Sequence, residues 1–261
     1  MKDLRVCAIQ ANLVWENPNA NYQAIATLFP QRGEVDLVVL PEMFTTGFSM
    51  KPESVAEQHS LEMSTLVWMK SSAAELNAAI TGSVSVEEDG HYYNRLYWVE
   101  PEGRVLWYDK QHLFTFANED DHYTAGKNRM IVHWRGWNIL PLICYDLRFP
   151  ELARNGQTNS EIDYDLCIYV ANWPAVRSHP WTSLLVARAI ENQCYLIGCN
   201  RSGNDGNDIA YTGDSAILDP RGTTLTYAEP GVEEAISYTL SAEALVDFRR
   251  KFPVLFDRKK A

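Results

Sequence analysis

The sequence predicts a layered α/β protein with mixed sheets, formed by one domain that spans residues 1–261. Short apolar runs alternate with segments in which apolar residues recur every three or four positions, the patterns typical of strands and amphipathic helices. Several apolar runs are paired across short Pro- and Gly-containing turns, which indicates antiparallel hairpins among the other strands. The chain has 261 residues and 46% hydrophobic content, which suffices to bury a large core.

The strands are predicted from the apolar runs, taken in chain order. The run DLVVLPE has apolar residues at consecutive positions, so we expect it to be buried on both faces. Three longer segments each predict a hairpin, with turns at Pro101–Gly103, at Arg135–Gly136 and at a Pro-Arg-Gly sequence. The predicted strand-forming segments are LRVCAIQ, DLVVLPE, AAITGSVSVEE, NRLYWVEPEGRVLWYDK, MIVHWRGWNILPLIC, YDLCIYVANW, CYLIGCN and YTGDSAILDPRGTTLTYAE.

Four helices are predicted between and after these strands. NYQAIATLF, STLVWMKSSAAELN and PWTSLLVARAIENQ each have apolar residues three and four positions apart. The segment SAEALVDFRRKF begins with Ser241 and has Glu243 close behind, which predicts a capped helix N-terminus.

Composition excludes several classes of function. The net charge is −11, and no basic patch reverses it, so we expect neither a nucleic-acid partner nor an anionic membrane surface. No apolar run approaches membrane-spanning length, and the N-terminus has no signal-peptide pattern. The five cysteines are odd in number and include no C-x-x-C pair, which argues against a disulfide framework or a zinc site. We therefore expect a cytoplasmic protein with free thiols.

Three predicted strands end in residues that suit one reaction. VVLPE ends at Glu42, LWYDK at Lys110 and LPLIC at Cys144. Ligands of α/β sheets bind outside strand ends, so these side chains are candidates for one site. A carboxylate can take the proton of a thiol and later give it to a departing amine. A lysine ammonium favours the thiolate and can stabilise the oxyanion, which suits attack on an amide or nitrile carbon.

These segments resemble the nitrilase superfamily of carbon–nitrogen hydrolases. The matching motifs are LPEMF, YDKQHLF and ICYDLRFPEL, followed by ANWPAVR, ARAIENQCYLIGCNR and GDSAILDPRG, and the resemblance covers nearly the whole chain. Within the superfamily the sequence is most similar to bacterial omega-amidases, through PEMFTTGFSM, YVANWPAVR and CNRSGNDGN among others. The resemblance implies a four-layer α-β-β-α sandwich, a homodimer, and neither a metal nor an organic cofactor.

The resemblance also implies a reaction and a role for each matching residue. It implies hydrolysis of the terminal amide of 2-oxo acid amides such as 2-oxoglutaramate or 2-oxosuccinamate, with release of ammonia. Glu42 matches the general base, Lys110 the transition-state stabiliser and Cys144 the nucleophile. Glu119 falls where many members have a second active-site glutamate, which would orient the lysine or the substrate amine; an acidic loop is the other interpretation. The backbone N–H of Tyr145 is the expected second oxyanion donor.

A carboxylated substrate requires a local cation in so acidic a protein. Arg148 and Arg177 are the candidates, because guanidinium groups form bidentate pairs with carboxylates. Arg148 could instead form an ion pair with Asp146 or Glu151. Trp173 could line the pocket, as could the phenylalanines at positions 44 and 48, although aromatic residues near strand ends also form plain core. We expect the histidine of KQHLF, at position 112, to be packed rather than catalytic.

Two alternatives remain open from the sequence. The same Glu-Lys-Cys set would serve a sister hydrolase of nitriles or of N-carbamoyl compounds, with only the pocket different. A binding protein that has kept the fold is the other alternative, and a Cys144 thiol with a low pKa, reactive well below pH 8.5, would argue against it.

Overall fold

The computed structural model describes residues 1–156 and 162–257. The strands are β1 (Leu4–Gln10), β2 (Leu37–Val39), β3 (Glu57–Gln58), β4 (Ala79–Glu88), β5 (His91–Val99), β6 (Val105–Asp109), β7 (Val132–Trp134), β8 (Trp137–Ile143), β9 (Leu166–Ala171), β10 (Tyr195–Asn200), β11 (Ser202–Asn204), β12 (Ala210–Thr212), β13 (Ala216–Leu218), β14 (Thr224–Tyr227) and β15 (Glu234–Leu240). The α-helices are α1 (Pro18–Thr27), α2 (Pro52–Val55), α3 (Ser64–Leu76), α4 (Glu119–His122), α5 (Pro150–Ala153), α6 (Ser178–Asn192) and α7 (Ala242–Lys251).

Two mixed sheets form the centre of the molecule. The first has the order β15-β1-β2-β4-β5-β6, with β3 paired to β4, and the second has the order β14-β13-β10-β9-β8-β7. In the first sheet β1, β2 and β4 are parallel, and β6 runs the same way because two antiparallel pairings, β4 with β5 and β5 with β6, restore the direction. In the second sheet β8, β9 and β10 are parallel.

The alternation of side chains along β1 shows why its residues are buried on both faces. Val6 and Ala8 point into the core between the two sheets, together with Ile139 of β8. Cys7 and its alternating neighbours point the other way, into a second core beneath α1 and α3. Successive side chains of a strand point to opposite faces, so a continuous apolar run supplies both cores at once.

Helices cover the outer faces of both sheets. Helix α3 packs on the first sheet through Leu66 and Met69. Helix α6 packs on the second sheet so closely that a Cβ at Gly198 of β10 would lie 2.5 Å from a methyl carbon of Leu185. The layers are therefore helix, sheet, sheet and helix, which confirms the predicted four-layer α-β-β-α sandwich.

Most predicted elements are present, with some differences. The first predicted strand matches β1 residue for residue, and the Ser241 side chain caps α7 by accepting a hydrogen bond from the backbone N–H of Ala244. The strands β3, β11 and β15 and the short helices α2, α4 and α5 were not predicted, and β12 lies only partly within the predicted segment YTGDSAILDPRGTTLTYAE. Strand β15 has a polar, mostly exposed face and pairs with only one neighbour, β1, so its apolar pattern is weak. No helix in residues 1–156 or 162–257 combines the length and apolar composition needed to cross a membrane.

Candidate active site

The ends of three strands bring Glu42, Lys110 and Cys144 to one edge of the sandwich. Lys110 directly follows β6, Cys144 directly follows β8, and Glu42 lies three residues beyond β2. The strands β2 and β6 run in the same direction within one sheet, so their carboxyl ends share an edge. The three side chains are almost completely enclosed, since the residues are 0%, 1% and 8% exposed respectively. The structure thus places the predicted trio together.

Lys110 is the centre of a network of buried hydrogen bonds. Its Nζ lies 2.9 Å from Glu42 Oε1 and 3.0 and 2.8 Å from the two carboxylate oxygens of Glu119. Glu119 opens the short helix α4, is fully buried, and also accepts a 2.6 Å hydrogen bond from the backbone N–H of Phe114. The structure therefore gives Glu119 a direct contact with the lysine. It also contradicts the interpretation of this residue as part of an exposed acidic loop.

Glu42 is joined to the second sheet through Asn172, which follows β9. The backbone N–H of Asn172 donates to Glu42 Oε2 at 2.7 Å, and its side-chain amide donates to the backbone oxygen of Glu42. The carbonyl oxygen of Asn172 lies 3.9 Å from Cys144 Sγ. One residue of the second sheet thus contacts both the carboxylate of the first sheet and the sulfur.

The backbone is held in a sparsely populated conformation on both sides of the cluster. Cys144 has φ +43° and Met43, next to Glu42, has φ +42°. Such left-handed conformations are costly for residues with a Cβ and persist only where the surroundings enforce them. At Cys144 the sharp turn from β8 into a 3-10 helix, Cys144–Arg148, keeps the sulfur at the strand end.

Asp146 fixes the turn that carries the sulfur. Its Oδ2 accepts hydrogen bonds from the backbone N–H of Ile143 at 3.1 Å and from the hydroxyl of Tyr108 at 2.8 Å. Its Oδ1 lies 3.0 Å from both the backbone nitrogen and Nδ1 of His112. This carboxylate therefore ties the segments on either side of the lysine to the segment around Cys144. The ring of His112 stacks on Phe149 at 3.7 Å, as expected for a packed histidine.

Burial and charge act in opposite directions within the cluster. Burial raises the pKa of Cys144 well above its usual value, and the charge of Glu42 raises it further, while Lys110 opposes both. Burial by itself lowers the pKa of Lys110, but the charges of Glu119 and Glu42 outweigh it, so the net pKa is raised. Burial also raises the pKa of Glu119, against the effect of Lys110. The net direction for the Cys144 pKa is therefore upward, because the charge of Lys110, which favours the thiolate, is shared by two carboxylates.

A cavity of 290 Å³ opens above the sulfur. Its wall is mostly aromatic and aliphatic, and its charged lining residues are Lys110, Arg148 and Arg177. The lining residues are Phe48, Lys110, Phe114, Phe116, Ala117, Cys144, Tyr145, Arg148, Asn172, Trp173, Pro174, Arg177, Ile209 and Tyr211.

Both predicted arginines line this cavity, and each lies on aromatic rings. The Arg148 guanidinium is 5.0 Å from the ring centroid of Trp173. The Arg177 guanidinium is 4.9 Å from the centroid of Phe116 and 5.6 Å from that of Phe114. Trp173 also connects the two, since its indole N–H donates to the backbone oxygen of Arg177 at 2.7 Å. Asp146, an alternative partner for Arg148, is instead occupied by the hydrogen bonds described above.

Other sequence-based expectations have mixed outcomes. Phe48 lines the cavity, but Phe44 is fully buried in the core under α3 and does not line it. The remaining cysteines, Cys7, Cys167, Cys194 and Cys199, are free and buried, although the third of these precedes β10 rather than lying in it. Among residues 1–156 and 162–257 no group of three or more His, Cys, Asp or Glu side chains is placed to hold a metal ion.

Sequence reasoning missed two buried asparagines and part of the aromatic wall. Asn94, in the middle of β5, donates to Glu42 Oε1 at 2.8 Å, and Asn172 contacts Glu42 as described. Asn94 could have been noticed as an uncharged polar residue at the start of the predicted strand segment NRLYWV. Asn172 could have been noticed because it lies in ANWPAVR, which resembles a family motif. Phe114, Phe116 and Tyr211 gave no signal, because only the fold brings their segments of the chain to the cavity.

Comparison with known proteins gives the same family over the full chain. The family model described as carbon-nitrogen hydrolase matches residues 5–250. The chain is 45% identical to the omega-amidase YafV of Yersinia enterocolitica, covering 100% of this chain and 98% of the relative, and 32% identical to the 2-oxoglutaramate amidase of Bacillus subtilis, covering 98% and 97%. A crystal structure of the CN-hydrolase superfamily protein XC1258 from Xanthomonas campestris, with an arsenic adduct in its active site, superposes with a TM-score of 0.96 at 43% identity, over 100% and 99% of the two chains. This chain therefore belongs to the carbon–nitrogen hydrolase family.

Proposed function

We propose that this protein is an omega-amidase that hydrolyses the terminal amide of small 2-oxo acid amides, such as 2-oxoglutaramate and 2-oxosuccinamate, to the acid and ammonia. One observation carries the proposal: the cavity above Cys144 is lined mostly by aromatic and aliphatic residues, and its charged lining residues are Lys110 of the catalytic cluster and the two arginines, Arg148 and Arg177. A substrate with an uncharged amide at one end and a carboxylate at the other matches this distribution of polarity. The full-length similarity to an omega-amidase supports the same substrate class.

The geometry supports a double-displacement mechanism with Cys144 as nucleophile. Glu42 takes the thiol proton as the sulfur attacks the amide carbon, so a C–S bond forms and the carbonyl becomes an oxyanion. Lys110 and the backbone N–H of Tyr145 stabilise that oxyanion. Glu42 returns the proton to the amide nitrogen, the C–N bond breaks and ammonia leaves. The same carboxylate then deprotonates a water that attacks the thioester, and the thiolate departs and is reprotonated.

Glu119 acts through the lysine in this scheme. Its carboxylate binds Lys110 at 2.8 and 3.0 Å. It also accepts hydrogen bonds from the side chain of Asn94 and from the backbone N–H of Phe114. We assign it the role of holding the ammonium in place and keeping it charged. This role agrees with the raised pKa of Lys110, to which Glu119 is the largest favourable contributor.

The two arginines and Trp173 are assigned to the substrate carboxylate. Guanidinium groups that lie face-on over aromatic rings keep their N–H edges available for a planar anion. Trp173 positions both, through its ring face and its indole N–H. In a protein of net charge −11, such a local cationic mouth is what draws a carboxylated substrate to the site.

A substrate panel tests the proposal. Steady-state rates are measured with 2-oxoglutaramate, 2-oxosuccinamate, the uncharged amide butyramide, a nitrile and an N-carbamoyl amino acid. We expect kcat/KM for the 2-oxo acid amides to exceed that for butyramide by about 100-fold, the range expected for losing one buried charge-assisted pair. Highest turnover with the nitrile or the N-carbamoyl compound would identify the protein as a sister hydrolase instead.

Arginine variants test the carboxylate site separately. Arg148→Met and Arg177→Met keep the apolar stem but remove the charge, so we expect KM for 2-oxoglutaramate to rise about tenfold or more in each. Arg104→Met, at an exposed residue in the β5–β6 turn, is the matched control. An unchanged KM in both pocket variants would remove the carboxylate assignment.

We also propose that residues 1–261 form one domain that works as a cytoplasmic homodimer. A continuous core between the two sheets supports the single domain, and five free cysteines suit a reducing compartment. The homodimer follows from the family resemblance and is tested by sedimentation equilibrium.

A further inference from the structure

Asn94 lies between the two carboxylates of the site, where neither the sequence nor the relatives assign it a role. It is fully buried in β5, and its backbone oxygen accepts a 3.0 Å hydrogen bond from the N–H of Lys110. Its side-chain Nδ2 is 2.8 Å from Glu42 Oε1 and 3.3 Å from Glu119 Oε1. Both amide hydrogens are thus directed at the carboxylates flanking the lysine.

The orientation of this amide has a cost that points to a purpose. The Oδ1 atom of Asn94 is buried and has no hydrogen-bond partner among the described residues. Leaving a buried acceptor unpaired is unfavourable, and a flipped amide would place its oxygen against two anions. The orientation is therefore determined by the need for a neutral donor between Glu42 and Glu119.

The hydrogen bonds that Glu42 accepts from the described residues use three of its lone-pair positions, so one position can still accept a proton. A carboxylate has about four lone-pair positions, two on each oxygen. On Oε1 both positions are used, one by Asn94 at 2.8 Å and one by Lys110 at 2.9 Å. On Oε2 the backbone N–H of Asn172 uses one position at 2.7 Å, which leaves the second open among the residues that the structure describes.

The open position lies on the side of the sulfur. Asn172 donates its N–H to Glu42 Oε2, and its carbonyl oxygen is 3.9 Å from Cys144 Sγ, so the same residue borders both groups. Glu42 is also close enough for its charge to be the largest electrostatic influence on the thiol. The two oxygens of Glu42 thus have different surroundings: Oε1 has two donors, whereas Oε2 has one, from the residue whose carbonyl oxygen lies beside the sulfur.

We propose that Asn94 is a positioning residue that, together with Lys110, occupies Oε1 of Glu42 and so directs the thiol proton of Cys144 to Oε2. In this step the S–H bond breaks, an O–H bond forms at Oε2, and the electron pair of the sulfur forms the C–S bond. The same proton later passes from Oε2 to the leaving nitrogen. The inference rests on the proposed amide hydrolysis, because it assumes that Cys144 attacks the substrate.

Two substitutions at this position test the proposal. Asn94→Asp keeps the shape but replaces the donor by a third carboxylate, and Asn94→Ala removes the donor. Asn192→Asp is the matched control, because Asn192 is also fully buried but lies on α6, where its amide binds the backbone oxygen of Arg188. Thermal unfolding of all three variants shows how much of any loss is structural.

We expect kcat to fall about 100-fold in Asn94→Asp and about tenfold in Asn94→Ala, with KM changed less than about twofold, because only proton transfer is affected. Asn192→Asp can lower the melting temperature, but we expect its kcat to stay within about twofold of the wild type. Full activity of either Asn94 variant, or a loss that appears in KM rather than in kcat, would overturn the proposal.

A readout without substrate separates this inference from the proposed function. The pH dependence of Cys144 alkylation by iodoacetamide, followed by mass spectrometry, reports the thiol and its base directly. We expect the alkylation profile of Asn94→Ala to differ from that of the wild type and the profile of Asn192→Asp to match it. If the wild type hydrolyses no 2-oxo acid amide, the proposed function fails while this comparison still tests Asn94; identical alkylation profiles would reject the positioning role.

Discussion

The two ends of strand β2 each have a buried carboxylate, and their surroundings differ in charge balance. Asp36 precedes the strand and is bound by Arg5, through Nε at 3.0 Å and an η nitrogen at 2.7 Å, and by Arg135 from the β7–β8 turn. Glu42 follows the strand and shares a single ammonium, Lys110, with a second carboxylate. One end has two cations for one anion, and the other has two anions for one cation.

The two carboxylates also differ in how far their cationic partners are exposed to water. The side chains of Arg5 and Arg135 are 41% and 36% exposed, so the Asp36 ion pairs are open to solvent and satisfied. At Glu42 every charged partner is buried, and Cys144 is enclosed with them. Ion pairs whose charges are balanced and exposed to solvent contribute to stability. A buried group with an excess of carboxylates favours proton transfer instead. The comparison predicts that changes at one end alter stability and changes at the other alter activity.

The largest expected effect is the loss of activity in Cys144→Ala. Without the sulfur no acyl-enzyme forms, so we expect ammonia release from 2-oxoglutaramate to fall by about 10⁴-fold or more. Because the change removes one atom at the base of a cavity, the melting temperature should stay within about 3 °C of the wild type. Near-wild-type turnover in a folded Cys144→Ala protein would refute the nucleophile assignment.

Lys110→Met should affect both properties. It removes the oxyanion donor, for which we expect about a 10³-fold loss of kcat. It also leaves Glu42 and Glu119 buried without a cation, at a cost of about 3–5 kcal/mol in unfolding free energy, measured by urea denaturation. Lys51→Met, at an exposed residue, is the control. A Lys110→Met protein as stable as this control would contradict the charge balance described for the site.

Asp36→Asn should affect stability alone. Losing charge-assisted hydrogen bonds to two half-exposed arginines should cost about 1–2 kcal/mol in unfolding free energy, with kcat within about twofold of the wild type. Burial raises the pKa of Asp36, but Arg5 and Arg135 outweigh it, so the net pKa lies below its usual 3.8. The stabilisation is therefore present above pH 3.8 and fades as the pH falls through the lower folded-state pKa. Asp89→Asn, in an exposed turn, is the control; a strong kcat defect in Asp36→Asn would break the comparison.

The smallest expected effect is a shift in thiol reactivity. Burial and Glu42 raise the pKa of Cys144, so its alkylation by iodoacetamide should have a midpoint above that of a free thiol. In Glu42→Gln the midpoint should move down, because the negative neighbour is removed. A wild-type midpoint below pH 8 would mean that the resting enzyme holds a thiolate.

The sequence alone determined the elements and the identity of the reactive trio. Hydrophobic periodicity depends on neighbours along the chain, so β1, α3 and the cap of α7 could be predicted from local residues. Glu42, Lys110 and Cys144 stood out because reactive residues followed apolar runs in motifs that resemble a family. Hydrophobic periodicity and short motifs both depend on residues that are close together along the chain, so both can be recognised from the sequence without the fold.

Only the tertiary structure decided the balance of charges around those residues. The number of anions near Lys110, the two donors on Glu42 Oε1 and the enclosure of Cys144 depend on contacts between residues 9 to 130 positions apart. From the sequence, Lys110 is expected to favour a thiolate, whereas in the fold burial and Glu42 raise the pKa of the enclosed Cys144 thiol. A pKa depends on burial and on every charge within a few ångströms, and no local pattern records those distances.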